Sequence, residues 1–216
     1  MKNWLTVVCL GLVWVVSMAE AAPEPAIVQG PGLWTAQVKY EPLHPIMYQS
    51  GPQTPPQRYW YTILTIVNPT RQDVRFYPKF DLVTDTVQVL PAGKEVPAAL
   101  YVQLLQSYAG KYPLLQPLRG LINQLAASDN LLRQGSDYAV DVLVVWPDFD
   151  PKASQVSLYF TGLSNETAVV ELPDAQAANK KVYLRKTLEL TYDLRSQSQL
   201  RNDMDAVFHG LKWVMR

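Results

Sequence analysis

From residue 33 onward, apolar and polar side chains alternate with a period of two, and this constrains the fold more than any other feature. Over residues 33–41, Trp34, Ala36, Val38 and Tyr40 are apolar while Thr35, Gln37, Lys39 and Glu41 are polar. Successive side chains of an extended strand point to opposite faces, so the pattern writes a strand buried on one side. Residues 58–68 predict a second strand that is apolar on both faces. Tyr59, Tyr61, Ile63 and Val67 lie on one face, and Trp60, Leu64 and Ile66 on the other. Such a strand needs cover on both sides. Between these two strands, Pro42, Pro45, Pro52, Pro55 and Pro56 lack backbone donors and predict a long loop over residues 42–57.

The β pattern continues through Val74, Phe76, Phe80 and Leu82 and a short strand at residues 87–89, and then the period changes. Val96, Leu100, Leu104 and Tyr108 recur every four residues and predict an amphipathic helix, with Pro97 in its first turn and Gly110 and Pro113 after its end. Leu118, Leu121, Ile122 and Leu125 predict a second helix. Period two then returns in strands at residues 138–146, 156–160, 167–172, 182–192 and 211–215. The expected fold is mainly β: an immunoglobulin-like antiparallel β-sandwich with an inserted helical pair at residues 94–134. The helices are expected to cover the outer face of strand 58–68, burying Leu100, Leu104, Leu121, Ile122 and Leu125 against one sheet.

The N-terminus sets an address. Lys2 precedes an apolar run from Trp4 to Val16, and the small-x-small triplet Ala19-Glu20-Ala21 follows. That is the layout of a secretory signal peptide over residues 1–21. The run is shorter than the roughly 20 residues a membrane-spanning helix needs. Residues 22–32 then read as a linker and 33–216 as one domain. Cys9, the only cysteine, lies inside the signal, too early for a lipoprotein anchor. The exported chain is therefore expected to carry no disulfide, no thiolate metal site and no cysteine nucleophile. Cleavage removes one base, Lys2, and one acid, Glu20, so the balance of 19 basic and 19 acidic side chains stays even. An even balance without long charge runs offers no electrostatic footprint for nucleic acid.

Candidate chemistry is sparse. Zinc wants three or four ligands at close spacing, and His44 and His209 stand far apart. Asp148 and Asp150, in Trp146-Pro147-Asp148-Phe149-Asp150-Pro151, offer two hard oxygen ligands for calcium, or one acid of a hydrolase pair. Neighbouring prolines equally favour an ordinary turn. Ser164 in Gly162-Leu163-Ser164-Asn165 lacks the second glycine of a nucleophile elbow. Asn165-Glu166-Thr167 is a sequon that matters only in a glycosylating pathway. There is no P-loop, GxGxxG or HExxH motif, and no cofactor is expected. Tyr59, Trp60 and Tyr61 invite two readings, a row of aromatics for stacking on a ligand or a central core strand.

Trp146-Pro147-Asp148, Gly162-Leu163-Ser164, Leu184-Arg185-Lys186-Thr187-Leu188 and Trp213-Val214-Met215-Arg216 give residues 138–216 a resemblance to uncharacterised exported bacterial proteins. The resemblance implies a bacterial envelope location and carries no activity. The resulting expectation is an exported, non-enzymatic β-sandwich, periplasmic or extracellular, that binds a protein or envelope component, the partner being an envelope or extracellular protein or glycan. A carbohydrate-binding module using Tyr59, Trp60 and Tyr61 is the alternative, and a hydrolase using Asp148 or Asp150 a third.

Overall fold

The computed structural model describes residues 26–30, 32–172 and 180–216; the expected signal peptide at residues 1–21 lies outside them. In chain order the strands and helices are β1 (Ala26–Ile27), β2 (Gln37–Tyr40), β3 (His44–Tyr48), β4 (Gln57–Val67), β5 (Val74–Arg75), β6 (Lys79–Thr84), β7 (Val89–Pro91), α1 (Ala98–Tyr108), β8 (Gln116–Pro117), α2 (Leu118–Ala126), β9 (Leu131–Leu132), β10 (Val140–Pro147), β11 (Gln155–Thr161), β12 (Thr167–Leu172), β13 (Lys180–Asp193) and β14 (Val207–Met215). Among the described residues, no helix is long and apolar enough to cross a membrane.

Two main sheets pack face to face, as the alternation predicts. One is built on β4, with β10 antiparallel along one side and β2 and β3 in line along the other; β8 adds to β10. The second is built on β13. Arg185 exchanges both backbone hydrogen bonds with Arg216, next to β14, while the Lys186 N–H donates to Glu166 on the opposite side. So β14 flanks β13 on one side, and β11 and β12 lie in line on the other, with β6 and β7 beyond β11. The small pair β5–β9 completes the set.

The inner faces make the main core. Trp60, Leu64, Ile66, Val142, Val144 and Trp146 meet Phe80, Leu82, Leu158, Phe160, Leu188 and Tyr192. Opposite residues in register share a face, so the outer face of the first sheet carries Tyr59, Tyr61, Ile63, Leu143 and Val145. Leu100 and Leu104 of α1 seal that face in a second cluster. The chain thus supplies the double cover that strand 58–68 demanded.

The two helices do not share one surface, however. Leu118, Leu121 and Leu125 of α2 join the main core, next to Val74, Phe76 and Leu132. Helical spacing marks an apolar stripe but says nothing of which surface receives it. Ile122, expected in the core, is 41% exposed, because it lies off the stripe formed by 118, 121 and 125.

Two other expectations change. Within the stretch read as a proline loop, residues 44–48 form β3, pairing His44 with Tyr61 and Pro45 with Trp60. β3 lies on the sheet edge, where a missing donor faces away from the ladder, so Pro45 is tolerated. Within the segment read as a linker, Ala26 and Ile27 pair with Val169 and Ala168 of β12. Two residues write no period, and so leave no sequence signal.

A switch just before β2 joins the sheets. Trp34 and Asn165 are tied twice, Trp34 N–H to Asn165 Oδ1 at 2.7 Å and Asn165 N–H to the Trp34 carbonyl at 3.2 Å, before the chain crosses to pair with β4. Gly162, which opens this corner, has φ +95, and a Cβ there would stand 2.2 Å from the Tyr77 carbonyl oxygen. Only glycine permits both that conformation and that approach.

Candidate functional site

The sequence-derived candidates are held in structural roles. Trp60 is fully buried between the sheets, and Tyr59 and Tyr61 are buried beneath α1. They alternate faces and form no exposed row, which is the core reading of the pair offered by the sequence. The Tyr61 hydroxyl meets that of Tyr108 at 3.1 Å, and burial pushes its titration far above the ordinary tyrosine range.

Asp148 has both oxygens occupied. Arg58 donates from Nε to Oδ1 at 3.0 Å and from Nη2 to Oδ2 at 2.9 Å, and the Trp60 indole N–H adds a bond to Oδ1 at 3.0 Å. Asp150 accepts the Lys152 N–H at 2.9 Å, the local bond of an aspartate turn. The two carboxylates therefore do not converge, and no group of three or more metal-ligating side chains occurs among the described residues. His44 Nδ1 lies 2.6 Å from Asp205 Oδ1, and His209 Nδ1 lies 2.9 Å from Asp193 Oδ2, in two separate pairs. Ser164 donates to the Trp34 carbonyl at 2.8 Å and belongs to the corner.

Sequence reasoning passed over Arg58, whose side chain is only 7% exposed. It lines a cleft of about 600 Å³ with Met47, Gln57, Asp148, Ser198 and Asn202. Its remaining donors go to the Ser198 carbonyl, Ser198 Oγ and Asn202 Oδ1 at 2.6, 3.1 and 2.8 Å. All five guanidinium N–H groups are thereby used, so among the described residues the cleft presents no free cation to an anionic ligand. A wider groove of about 680 Å³ beside α2 is lined by Leu114, Leu121, Leu125, Tyr138 and Arg133, with the Arg133 guanidinium 5.1 Å over the Tyr138 ring.

The strongest unspent binding capacity is in backbone, on β14. A sheet edge offers unpaired N–H and C=O groups, and most chains blunt such edges. Here the other outermost strands are blunted: β1 and β8 have two residues each and β8 contains Pro117, β7 has three and ends in Pro91, β3 contains Pro45, and β2 has four residues including Lys39. β14 has nine residues and no proline. A register shift opposite Thr191 and Tyr192 accommodates His209 as a bulge, and residues 210–215 run regularly beyond it.

Alternation fixes which groups are free. Arg216 spends its N–H and C=O on Arg185, so Val214 and Lys212 also face β13, and Leu211, Trp213 and Met215 face outward. Among the described residues, no hydrogen bond reaches those outward groups. The side chains of the same three residues lie opposite Leu190, Leu188 and Lys186, on the core-side face. Leu211 and nearby Phe208 are each 47% exposed, and Trp213 is partly buried against the core with Lys186 Nζ 5.4 Å from its ring. The Phe208 ring lies 5.8 Å from that of Tyr40 of β2, tilted by 36°. The edge is thus a hydrogen-bonding ladder backed by an apolar row.

No family model matches the chain, and no curated protein or solved structure matches it. Among the described residues, fold and edge define a two-sheet β-sandwich with a helical insertion and one long open strand.

Proposed function

We propose that the chain is an exported, non-enzymatic β-sandwich that binds an extended segment of an envelope or extracellular protein by strand addition at β14. One observation carries this reading: among the described residues, β14 is the long, proline-free outer strand, and the other outer strands are short or interrupted by proline. In strand addition, main-chain hydrogen bonds supply affinity and alternate side chains supply selectivity. Leu211, Trp213 and Met215 provide the first, and the apolar row with Phe208 provides the second. Export rests on the charged, apolar and small-residue layout of residues 1–21. Mass-spectrometric sequencing of protein from the envelope fraction is expected to find a chain beginning near Ala22, and an intact Met1 end would refute export by cleavage.

The binding test uses Leu211→Pro, which deletes one outward N–H and leaves the bonds to β13 in place. Wild-type protein incubated with the native envelope fraction is expected to retain a partner that Leu211→Pro loses, at nearly unchanged melting temperature. Equal retention by both proteins would refute strand addition at β14.

A further inference from the structure

Like any antiparallel edge, β14 is self-complementary in its outward groups, and here the apolar side chains of Leu211, Trp213 and Met215 match in the same register. Residues 211, 213 and 215 all point their N–H and C=O away from β13. Two antiparallel copies related by a two-fold axis through Trp213 bring Leu211 opposite Met215, Trp213 opposite Trp213, and Met215 opposite Leu211. Every outward donor then meets an outward acceptor, with none left over in the row. We propose that β14 pairs with β14 of a second copy of this chain in that register, making one continuous sheet through two sandwiches. This rests on the strand-addition reading, with a second copy holding the edge when no envelope segment does.

Side chains agree with the register. On the core-side face, Leu211 meets the other copy's Met215 and the two Trp213 rings meet each other. Cross-strand apolar and aromatic pairs of this kind add to the ladder. On the opposite face, Lys212 comes to lie beside Val214 of the second copy, so no like charges stand directly opposite. The charges nearest the edge are already engaged: Lys212 Nζ lies 3.4 Å from Glu189, and the Arg216 guanidinium sits 3.8 Å over the Tyr159 ring. An even balance of 19 basic and 19 acidic residues sets no net repulsion between copies. An isologous contact of this type closes on itself and does not propagate.

Paired cysteines read the register directly. In a Cys9→Ser background, Leu211→Cys and Met215→Cys are prepared as separate proteins and oxidised mildly, alone and mixed. The mixture is expected to form a disulfide-linked dimer, and each protein alone is expected to remain largely uncrosslinked, because residue 211 faces 215 and not itself. Sedimentation of the wild-type chain is expected to show a dimer fraction rising with concentration, and Leu211→Lys is expected to weaken association at least tenfold without loss of fold. A chain that stays monomeric at every concentration, or cysteines that crosslink equally alone and mixed, would overturn the two-fold pairing. Binding of an envelope partner that Leu211→Pro abolishes would survive that result, so the two readings fail separately.

Discussion

Arg58 on β4 and Asp148 after β10 meet as a two-pronged ion pair, Nε to Oδ1 at 3.0 Å and Nη2 to Oδ2 at 2.9 Å. The pair pins the end of one sheet to the Ser198–Asn202 segment that precedes β14. Removing one partner strands the other. Arg58→Ala is expected to cost about 2–4 kcal/mol, towards the lower part of the range for a broken buried pair, because Asp148 is partly exposed. Chemical denaturation measures this, and a change within about 0.5 kcal/mol would mean the pair is ornamental.

The same geometry makes a prediction about metals. Asp148 spends both oxygens on Arg58, and Asp150 spends Oδ1 on its own turn. A cation bound to the fold would raise the melting temperature by mass action. Melting curves with EDTA and with calcium or zinc are therefore expected to coincide. A calcium-dependent rise lost in Asp148→Asn and Asp150→Asn would contradict this.

The two helices give a paired prediction. Leu104 on α1 is 2% exposed, whereas Ile122 on α2 is 41% exposed. Leu104→Ala is expected to destabilise by about 2–5 kcal/mol, and Ile122→Ala by less than about 1 kcal/mol. Equal costs would mean that α1 and α2 bury the same kind of face.

Much of this architecture is legible in the chain because strands buried on one face must alternate. The apolar faces of β4 announced a cover on each side, and the four-residue spacing of Leu100 and Leu104 announced a helix to supply one. What alternation leaves out is pairing. Nothing in Leu118, Leu121 and Leu125 says that α2 enters the main core while α1 lies outside. Pro45 reads as loop in any local window, and only an edge position makes β3 possible. Arg58 has one signal, a charge beside the aromatics of a strand otherwise apolar, and its partner lies too far along the chain for spacing to reveal. The final strand was readable at 211–215, but its open edge is a fact of tertiary pairing.

The corner network predicts a pH dependence. Glu166 accepts Lys186 Nζ at 2.5 Å and Thr35 Oγ1 at 2.9 Å. The Lys186 bond, with help from Thr35, holds the Glu166 carboxyl below its ordinary value of 4.5. Because the folded value lies below the unfolded one, the stabilisation is full above 4.5 and fades as pH falls through the lowered value. Wild type is expected to exceed Glu166→Gln by about 1–3 kcal/mol at neutral pH, with the gap closing towards acid. A gap independent of pH would assign the loss to packing.

Amide hydrogen exchange along β14 tests strand addition most directly. Lys212 and Val214 bond to β13, while Leu211, Trp213 and Met215 point outward. In dilute protein the 212 and 214 amides are expected to be protected and those of 211, 213 and 215 to exchange rapidly. When a second copy or an envelope partner is supplied, the three outward amides are expected to slow together. Outward amides already protected in the dilute chain, or still exchanging rapidly when the partner is bound, would contradict the assignment of β14 as the binding edge.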